Sequence, residues 1–178
     1  MTIHEFKGYL TEQELKIINT ECVIQAKWRF GQKSNEDSRF PMWFQNFYIT
    51  QAKKFKDDAP SIIEDIAKRA LINEFPANYE LIRVMIAGNT YGQDGDWHTD
   101  HPSNDHSTLI IYLNEQWDRS WGGETVIYDP GAMRTHHIFP DPGKGVLFNS
   151  NLPHIGYGPS RSCGKLRSIF AMQACKSA

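Results

Sequence analysis

The chain has 178 residues, a formal net charge of -2 and 12% aromatic side chains. This length fits a single domain with a substantial core, and the composition argues against a disordered tail and against a protein that binds nucleic acid mainly by charge. The N-terminus lacks a basic segment followed by a long apolar one, and no apolar run reaches the roughly 18 residues of a membrane span. Its three cysteines are odd in number and lack metal-type spacing, which disfavours disulfides and zinc. We therefore expect a cytoplasmic protein with no membrane partner.

Residues 1–78 are predicted to form a helical support with a variable loop. Thr11 is the predicted N-cap of a first helix, Glu14 completes a capping box, and Leu10 packs against Leu15. A second, amphipathic helix is predicted just after Pro60, where apolar residues recur at helical spacing in SIIEDIAKRALINEF.

The segment over residues 28–48 is rich in aromatic residues around a polar, turn-rich centre. This composition is typical of a hairpin or a long loop. It could form a lid or wall of a substrate pocket, or a satellite core beneath a loop, and both interpretations stay open.

From residue 79 onward the sequence predicts β-structure. Short runs rich in β-branched and aromatic residues are separated by Gly, Pro, Asn and Asp: YELIRVMIA, STLIIYL, ETVIYD, HHIFP, GVLFN and LRSIFAMQA. Several short strands behind one or two helices, without βαβ alternation, predict a mainly β (α+β) fold with a jelly-roll core and N-terminal supporting helices. We expect one domain over residues 1–178, with the jelly-roll core over residues 79–175.

A candidate metal site lies in the segment YGQDGDWHTDHPSNDH. His98 and Asp100 are two residues apart, so both point to one face if the segment is a strand, and His154 is expected at the end of the GVLFN strand. Two imidazoles and one carboxylate form the facial triad of non-haem Fe(II) oxygenases, which leaves three metal positions open. A His-x-Asp triplet alone is a weak signal. We interpret four further histidines as surface or supporting residues: His101, His106, His136 and His137.

Arg167 opens the last predicted strand and is the candidate anion-binding residue. A guanidinium held on a strand can bind a carboxylate through two parallel hydrogen bonds. Tyr112 could hydrogen-bond the same carboxylate if its face of the preceding strand points inward. The alternatives are an exposed edge charge for Arg167 and a core tyrosine for Tyr112.

Together these motifs resemble the prolyl 4-hydroxylase-like branch of the Fe(II)- and 2-oxoglutarate-dependent dioxygenases. The resemblance covers roughly residues 80–175 and rests on the order HTD, LIIYLNEQW, GGET, VLFNSNLPH and a basic residue on the final strand. It implies a double-stranded β-helix, or jelly-roll, core. It also implies iron binding by His98, Asp100 and His154, and a salt bridge from Arg167, assisted by Tyr112, to the distal carboxylate of 2-oxoglutarate.

The chain departs from the family pattern after the second histidine. Arg167 is thirteen residues after His154, where the family commonly has about nine or ten, so the loop is extended and Lys165 and Arg161 stay alternatives.

An Asn-x-Tyr element is shared with nucleic-acid demethylases. It implies that Asn89 and Tyr91 contact the cosubstrate, although Gln173 replaces the second arginine of those enzymes and the chain has no basic stripe.

The activity implied by the resemblance is hydroxylation of a C–H bond, with release of succinate and CO2. The substrate would be a peptidyl residue, with proline a candidate, or a small molecule. Fe(II), 2-oxoglutarate and O2 are the implied cofactors, with ascorbate as a candidate reductant. The sequence indicates no oligomeric state.

Three other functions remain to be weighed. A jelly roll can be a non-catalytic, cupin-like module that binds a metal or another ligand, because fold does not fix function. The aromatic stretch over residues 40–48 could instead be a docking patch of an interaction protein. A nucleic-acid demethylase is less favoured. An inward-facing triad opposite Arg167 would favour the enzyme, and an outward-facing triad or a surface Arg167 would favour the module.

Overall fold

The computed structural model describes residues 3–177. The helices are α1 (Glu12–Ile18), which continues into a π-helical segment (Asn19–Ile24), and α2 (Ser61–Asn73). The strands are β1 (His4–Phe6), β2 (Arg29–Gln32), β3 (Met42–Asn46), β4 (Tyr48–Ile49), β5 (Lys54–Phe55), β6 (Tyr79–Asn89), β7 (His106–Tyr112), β8 (Thr125–Asp129), β9 (Arg134–Ile138), β10 (Gly145–Asn149), β11 (His154–Gly156) and β12 (Arg167–Lys176). Short 3-10 turns lie at Thr50–Ala52 and Arg119–Trp121. In this part of the chain, no helix is both long and apolar enough to cross a bilayer.

Helix α1 begins where the sequence predicts it. The Glu14 amide donates to Thr11 Oγ1 at 3.2 Å, and Glu14 Oε2 accepts from the Thr11 amide at 2.9 Å, so the predicted capping box is present. Glu14 Oε1 also accepts from Arg69 Nη1 of α2 at 2.5 Å, which ties the two helices together. Burial raises the pKa of Glu14, but the hydrogen bonds from Arg69 and Thr11 outweigh it and hold that pKa below its ordinary value.

The seven-stranded major sheet has the order β1-β10-β7-β12-β6-β3-β2, and the three-stranded minor sheet has the order β11-β8-β9. Neighbouring strands in both sheets are antiparallel. A core cluster joins the two sheets, with members from the major sheet such as Ile110 and Phe148 and from the minor sheet such as Ile127 and Ile138. Two antiparallel sheets packed face to face confirm the predicted jelly roll.

Residues 1–78 do more than the predicted helical support. Strand β1 pairs with β10 at one edge of the major sheet, and the β2–β3 hairpin pairs with β6 at the other. The prediction of a helical support was incomplete because these strands are short and their exposed or half-buried residues do not alternate cleanly between apolar and polar. The hairpin interpretation of residues 28–48 agrees with the structure.

Strand β12 lies near the middle of the major sheet and separates the core from the functional side. Phe170, Met172 and Ala174 are buried in the cluster that includes the apolar face of α2. Residues at alternate positions from Arg167 to Gln173 point to the opposite face and line a cleft. The alternation of side chains along β12 therefore gives one strand a structural face and a cleft face.

Helix α2 supports the major sheet through a buried apolar face, which gives a stability prediction. Ile66 is 1% exposed, whereas Ile72 on the same helix is 77% exposed. Ile66→Ala should lower the free energy of unfolding by about 2–5 kcal/mol, because it leaves a cavity in the core. Ile72→Ala should change it by less than about 0.5 kcal/mol. Urea denaturation followed by circular dichroism measures both, and equal effects would contradict this role of α2.

Candidate active site

His98, Asp100 and His154 come together in the cleft between the two sheets. Asp100 Oδ1 lies 3.7 Å from His98 Nε2, and Asp100 Oδ2 lies 3.7 Å from His154 Nε2. One ligand atom from each residue lies within 4.8 Å of the others, and His154 is buried. The spacing and the two-nitrogen, one-oxygen donor set fit a single divalent transition metal.

The main chain places the two histidines side by side. The His98 amide donates to the His154 carbonyl at 3.0 Å, and the His154 amide donates to the His98 carbonyl at 2.8 Å. This isolated antiparallel bridge differs from the expectation that His98 and Asp100 lie on a regular strand. His154 opens β11 in the minor sheet instead of ending the GVLFN strand. The chain turns between β10 and β11, so the second histidine arrives from the opposite sheet.

Both histidines present Nε2 to the site. His98 Nδ1 lies 2.8 Å from the Asp96 carbonyl oxygen, and His154 Nδ1 lies 2.9 Å from the Leu152 carbonyl oxygen. Because a carbonyl can only accept, each Nδ1 carries the hydrogen and each Nε2 keeps a free lone pair. Burial lowers the pKa of His154 below its ordinary value, which favours the neutral ring that a metal requires.

The Asp100 carboxylate is held in its ionised form. Thr108 Oγ1 donates to Asp100 Oδ2 at 2.6 Å and lies 2.8 Å from Ser150 Oγ. Burial raises the pKa of Asp100, but His154, His98 and the Thr108 hydroxyl outweigh it and hold that pKa below its ordinary value. Sequence reasoning missed this role of Thr108, since it depends on a contact between strand β7 and the loop before it.

The hydroxyl of Thr108 gives a test of this support. Thr108→Val keeps the side-chain volume but removes the hydrogen bond to Asp100, and we expect it to weaken Fe(II) binding by about 10–100-fold. Thr135→Val, at an exposed position on β9, is the matched control and should leave the affinity unchanged. Anaerobic competition with a chromophoric chelator measures both constants. Equal affinities in the two variants would show that Thr108 does not orient the ligand.

Arg167 lies in the same cleft and is 1% exposed. Its Nη2 donates to Thr125 Oγ1 at 2.9 Å, and its Nε donates to the Gly123 carbonyl. Gly123 has φ +78°, and a Cβ there would lie 3.2 Å from Arg167 Cδ, so glycine suits the backbone and leaves room for the arginine. This contact explains why the second position of the GGET motif is a glycine.

The buried Arg167 charge lacks a counterion. Within residues 3–177, no carboxylate forms an ion pair with it. Burial lowers the pKa of Arg167, but arginine keeps its charge in proteins. Because an unpaired buried charge is costly, this cation fits an anionic ligand such as a carboxylate.

Of the three basic residues considered for anion binding, the structure places only Arg167 in the cleft. Arg161 and Lys165 are exposed, and the Lys165 ammonium lies 5.6 Å from the centroid of the Trp121 ring. Neither residue lines the cleft. The edge-charge interpretation of Arg167 also disagrees with its burial in the centre of the major sheet.

The remaining predicted cosubstrate residues differ in position. Asn89 lines the cleft, and its Oδ1 accepts from Arg167 Nη1 at 3.5 Å. Tyr112 is fully buried beside Arg167, but its hydroxyl lies 2.8 Å from Thr125 Oγ1 and donates to the Ile138 carbonyl at 2.9 Å. Tyr112 therefore supports the arginine's surroundings, and a direct contact with the carboxylate stays a prediction.

Tyr91 does not reach the cleft. It is 60% exposed because it follows β6 in a surface turn, where the Gln93 amide donates to the Thr90 carbonyl. The expectation of a cosubstrate contact came from the Asn-x-Tyr element alone, which does not specify the direction of this turn.

The other histidines lie outside the triad. The rings of His101 and His106 stack with centroids 3.4 Å apart and planes at 15°. Together with Asp105 they are close enough to share a metal, but the in-plane lone pairs of stacked rings run parallel and do not converge on one point. His136 and His137 lie on β9 and do not line the cleft.

The cleft is partly open to solvent. Gln32, Lys33, Ser34 and Met42 of the β2–β3 hairpin line one side, so this hairpin is a wall of the cleft. Arg83 and Gln173 line the end opposite Arg167, and sequence reasoning had given neither of them a role. No local signal could have found Arg83, because its direction depends on strand register.

Comparisons with known proteins agree with this geometry. Residues 84–170 match the family model described as the 2OG-Fe(II) oxygenase superfamily. No curated protein sequence matches the chain.

Solved structures resemble the fold over nearly the whole chain. A Pseudomonas putida prolyl-4-hydroxylase aligns with a TM-score of 0.73 at 14% identity, covering 99% of this chain and 92% of that one. A 2OG-Fe(II) oxygenase family oxidoreductase from Burkholderia pseudomallei aligns with a TM-score of 0.74 at 15% identity, covering 99% and 87%. The viral collagen prolyl hydroxylase of Paramecium Bursaria Chlorella virus-1 aligns with a TM-score of 0.67 at 19% identity, covering 98% and 97%.

The family match contains HTD, the second histidine and Arg167 in one segment, and the fold agrees with that of solved members. Over residues 84–170, this chain is therefore similar to the 2OG-Fe(II) oxygenase superfamily.

Proposed function

We propose that this protein is an Fe(II)- and 2-oxoglutarate-dependent dioxygenase that hydroxylates a C–H bond of a small molecule or a peptidyl residue. His98, Asp100 and His154 would hold the iron, and Arg167 would hold the distal carboxylate of 2-oxoglutarate. The observation that carries the proposal is a buried arginine, without a carboxylate partner in the described chain, that lines the same cleft as an inward-facing triad.

The chemistry divides between the bound groups and the chain. When bound, Fe(II) and 2-oxoglutarate supply the oxidising power, with O2 consumed and succinate and CO2 released. The chain's own residues orient these groups. Asp96 and Leu152 fix the histidine rings, Thr108 fixes the carboxylate, and Thr125 fixes the guanidinium.

The alternatives are less well supported. For a cupin-like binding module, an outward-facing triad or a surface Arg167 would be expected, and the structure has neither feature. For a docking patch over residues 40–48, broad exposure would be expected. Phe40 is 43% exposed, but Phe47 and Tyr48 are each only 7% exposed and belong to the core. Ascorbate as reductant stays a prediction.

The substrate and cellular location are also proposals. A Trichoplax adhaerens structure similar to this fold is a prolyl hydroxylase in complex with a peptide fragment, which supports a peptidyl residue as one candidate. The three cysteines are free thiols, which supports a reducing, cytoplasmic environment. We propose no membrane partner and disfavour nucleic acid as substrate, because the chain has no strongly basic balance.

Succinate release tests the proposed activity. Purified protein is loaded anaerobically with Fe(II) and 2-oxoglutarate, and succinate is measured by mass spectrometry after O2 is admitted. We expect slow release without prime substrate, complete inhibition by a metal chelator, and recovery when Fe(II) is added back. Absence of succinate, together with no Fe(II)-dependent binding of 2-oxoglutarate, would favour the non-catalytic binding module.

A further inference from the structure

Arg83 lies in the cleft without a hydrogen-bonded or ion-paired side chain, and the charge of Asp100 acts on it from a longer distance. It is half-buried on β6, and in the described part of the chain its guanidinium makes no hydrogen bond and no ion pair. The side-chain amide of Gln173 also makes no hydrogen bond there, and it pairs in register with Arg83 across β12 and β6. Two neighbouring polar side chains therefore present unused hydrogen-bonding groups to one end of the cleft.

This pair lies beside the metal site. Gln173 is also in register with Thr108 of β7, whose hydroxyl holds Asp100. Thr108, Gln173 and Arg83 thus form one row across three strands. Since neighbouring strands are about 4.8 Å apart, the Cα of Arg83 is roughly 10 Å from that of Thr108. A molecule held by Arg83 would lie within reach of a metal on Asp100.

The same register separates Arg83 from Arg167. Arg167 pairs with Asn89, and Gln173 pairs with Arg83, so the two levels are six positions apart along β6. At about 3.3 Å per residue this is roughly 20 Å along the strand. The Arg167 guanidinium is fixed by Gly123 and Thr125, so it cannot lean toward Arg83. The carboxylate of 2-oxoglutarate that Arg167 would hold is therefore out of reach of Arg83.

The formal charges lead to the same result. Fe(II), Arg167 and Arg83 would bring four positive charges to the cleft, against three negative charges from Asp100, the acidic residue that lines it, and the two carboxylates of 2-oxoglutarate. One positive charge therefore stays unbalanced inside a partly desolvated space. A carboxylate matches it, because a guanidinium can bind both oxygens in a plane while the Gln173 amide donates from the side.

We propose that the prime substrate is a small-molecule carboxylic acid whose carboxylate is bound by Arg83 with Gln173. The proposal rests on the proposed dioxygenase function and names its substrate class. An internal residue of a long peptide has no such carboxylate, whereas a free acid presents one to this end of the cleft.

Equilibrium dialysis tests the proposal without turnover. Anaerobic protein with Fe(II) and 2-oxoglutarate is dialysed against the proteinogenic L-amino acids and a set of simple aliphatic and aromatic acids. Each acid is paired with its primary amide, and bound compounds are measured by mass spectrometry. We expect at least one acid to bind wild type about tenfold more tightly than its amide, since only the acid carries the charge.

Three variants assign the preference to Arg83. Arg83→Gln should bring the acid-to-amide ratio close to one, and Arg83→Lys should keep part of it, because the charge stays and the planar fork is lost. Arg161→Gln removes an exposed charge outside the cleft and should keep the ratio within about twofold of wild type. Circular dichroism establishes that each variant is folded.

The outcomes separate the substrate class from the enzyme class. No preferred acid in wild type, or an unchanged ratio in Arg83→Gln, overturns the carboxylate proposal even if 2-oxoglutarate is retained. Loss of Fe(II)-dependent 2-oxoglutarate binding in wild type removes the proposed function itself. A tripeptide that ends in the selected amino acid and binds more tightly than the free acid overturns the small-molecule assignment in favour of a peptide C-terminus.

Discussion

Alanine at position 154 is expected to abolish Fe(II)-dependent succinate release. The substitution removes one of two nitrogen donors from a buried three-ligand set, and the remaining pair cannot define one face of an octahedron. Loss of a supporting hydrogen bond typically costs 10–100-fold in metal affinity, so loss of the ligand itself should cost more than about 100-fold. Anaerobic chelator competition gives the affinity, and the succinate assay gives the activity.

His137→Ala is the matched control for this experiment. His137 is exposed on β9, where its Nε2 lies 3.4 Å from the hydroxyl of Thr135. It should retain full metal affinity and full succinate release. If His154→Ala keeps wild-type affinity, His154 is not an iron ligand, whatever its position in the cleft.

The Arg167→Met substitution is expected to weaken 2-oxoglutarate binding strongly while it changes the free energy of unfolding little. Arg167→Met removes the proposed partner of the distal carboxylate, and truncation of one member of a buried charge pair costs about 2–5 kcal/mol of binding. This corresponds to at least about thirtyfold weaker 2-oxoglutarate binding. The protein without 2-oxoglutarate should keep its unfolding free energy within about 1 kcal/mol, because removal of an unpaired buried charge offsets the lost hydrogen bonds.

Thermal and chemical denaturation with and without the cosubstrate measure this separation. In the presence of Fe(II), 2-oxoglutarate at a hundred times its Kd should stabilise wild type by about 2.7 kcal/mol. The same concentration should give Arg167→Met little or no stabilisation. Arg134→Met, at an exposed position on β9, is the control and should respond like wild type. A full response of Arg167→Met would exclude Arg167 as the carboxylate anchor.

The fold was predictable where local patterns repeat. The capping box at Thr11, the apolar periodicity after Pro60 and the β-rich runs from residue 79 all describe local structure, and each corresponds to an element of the fold. Strands β1 and β2 were not predicted because their stability comes from pairing at the edges of the major sheet, which a short sequence window does not contain.

The candidate site was predictable where its residues belong to short sequence motifs that follow one another in a recognisable order. HTD, the second histidine and the basic residue of the last strand were sufficient to select the residues that the structure brings together. Thr108 was missed because its role comes from a contact with the loop before β7, and Thr125 and Arg83 were missed because their roles depend on strands distant in sequence. A cosubstrate contact was predicted for Tyr91 from the short Asn-x-Tyr element alone, which does not specify the direction of the turn after β6.

The paired main-chain hydrogen bonds between His98 and His154 should make the local backbone tolerant of side-chain substitutions at these two positions. Main-chain atoms, and not imidazoles, fasten the loop before Asp100 to the start of β11. The scaffold is therefore preorganised before any ion arrives, and its amides should resist hydrogen exchange in metal-free protein. The side chains of both histidines can be substituted while these main-chain hydrogen bonds persist. Substitutions of the two ligands should therefore change metal binding and activity more than they change the fold.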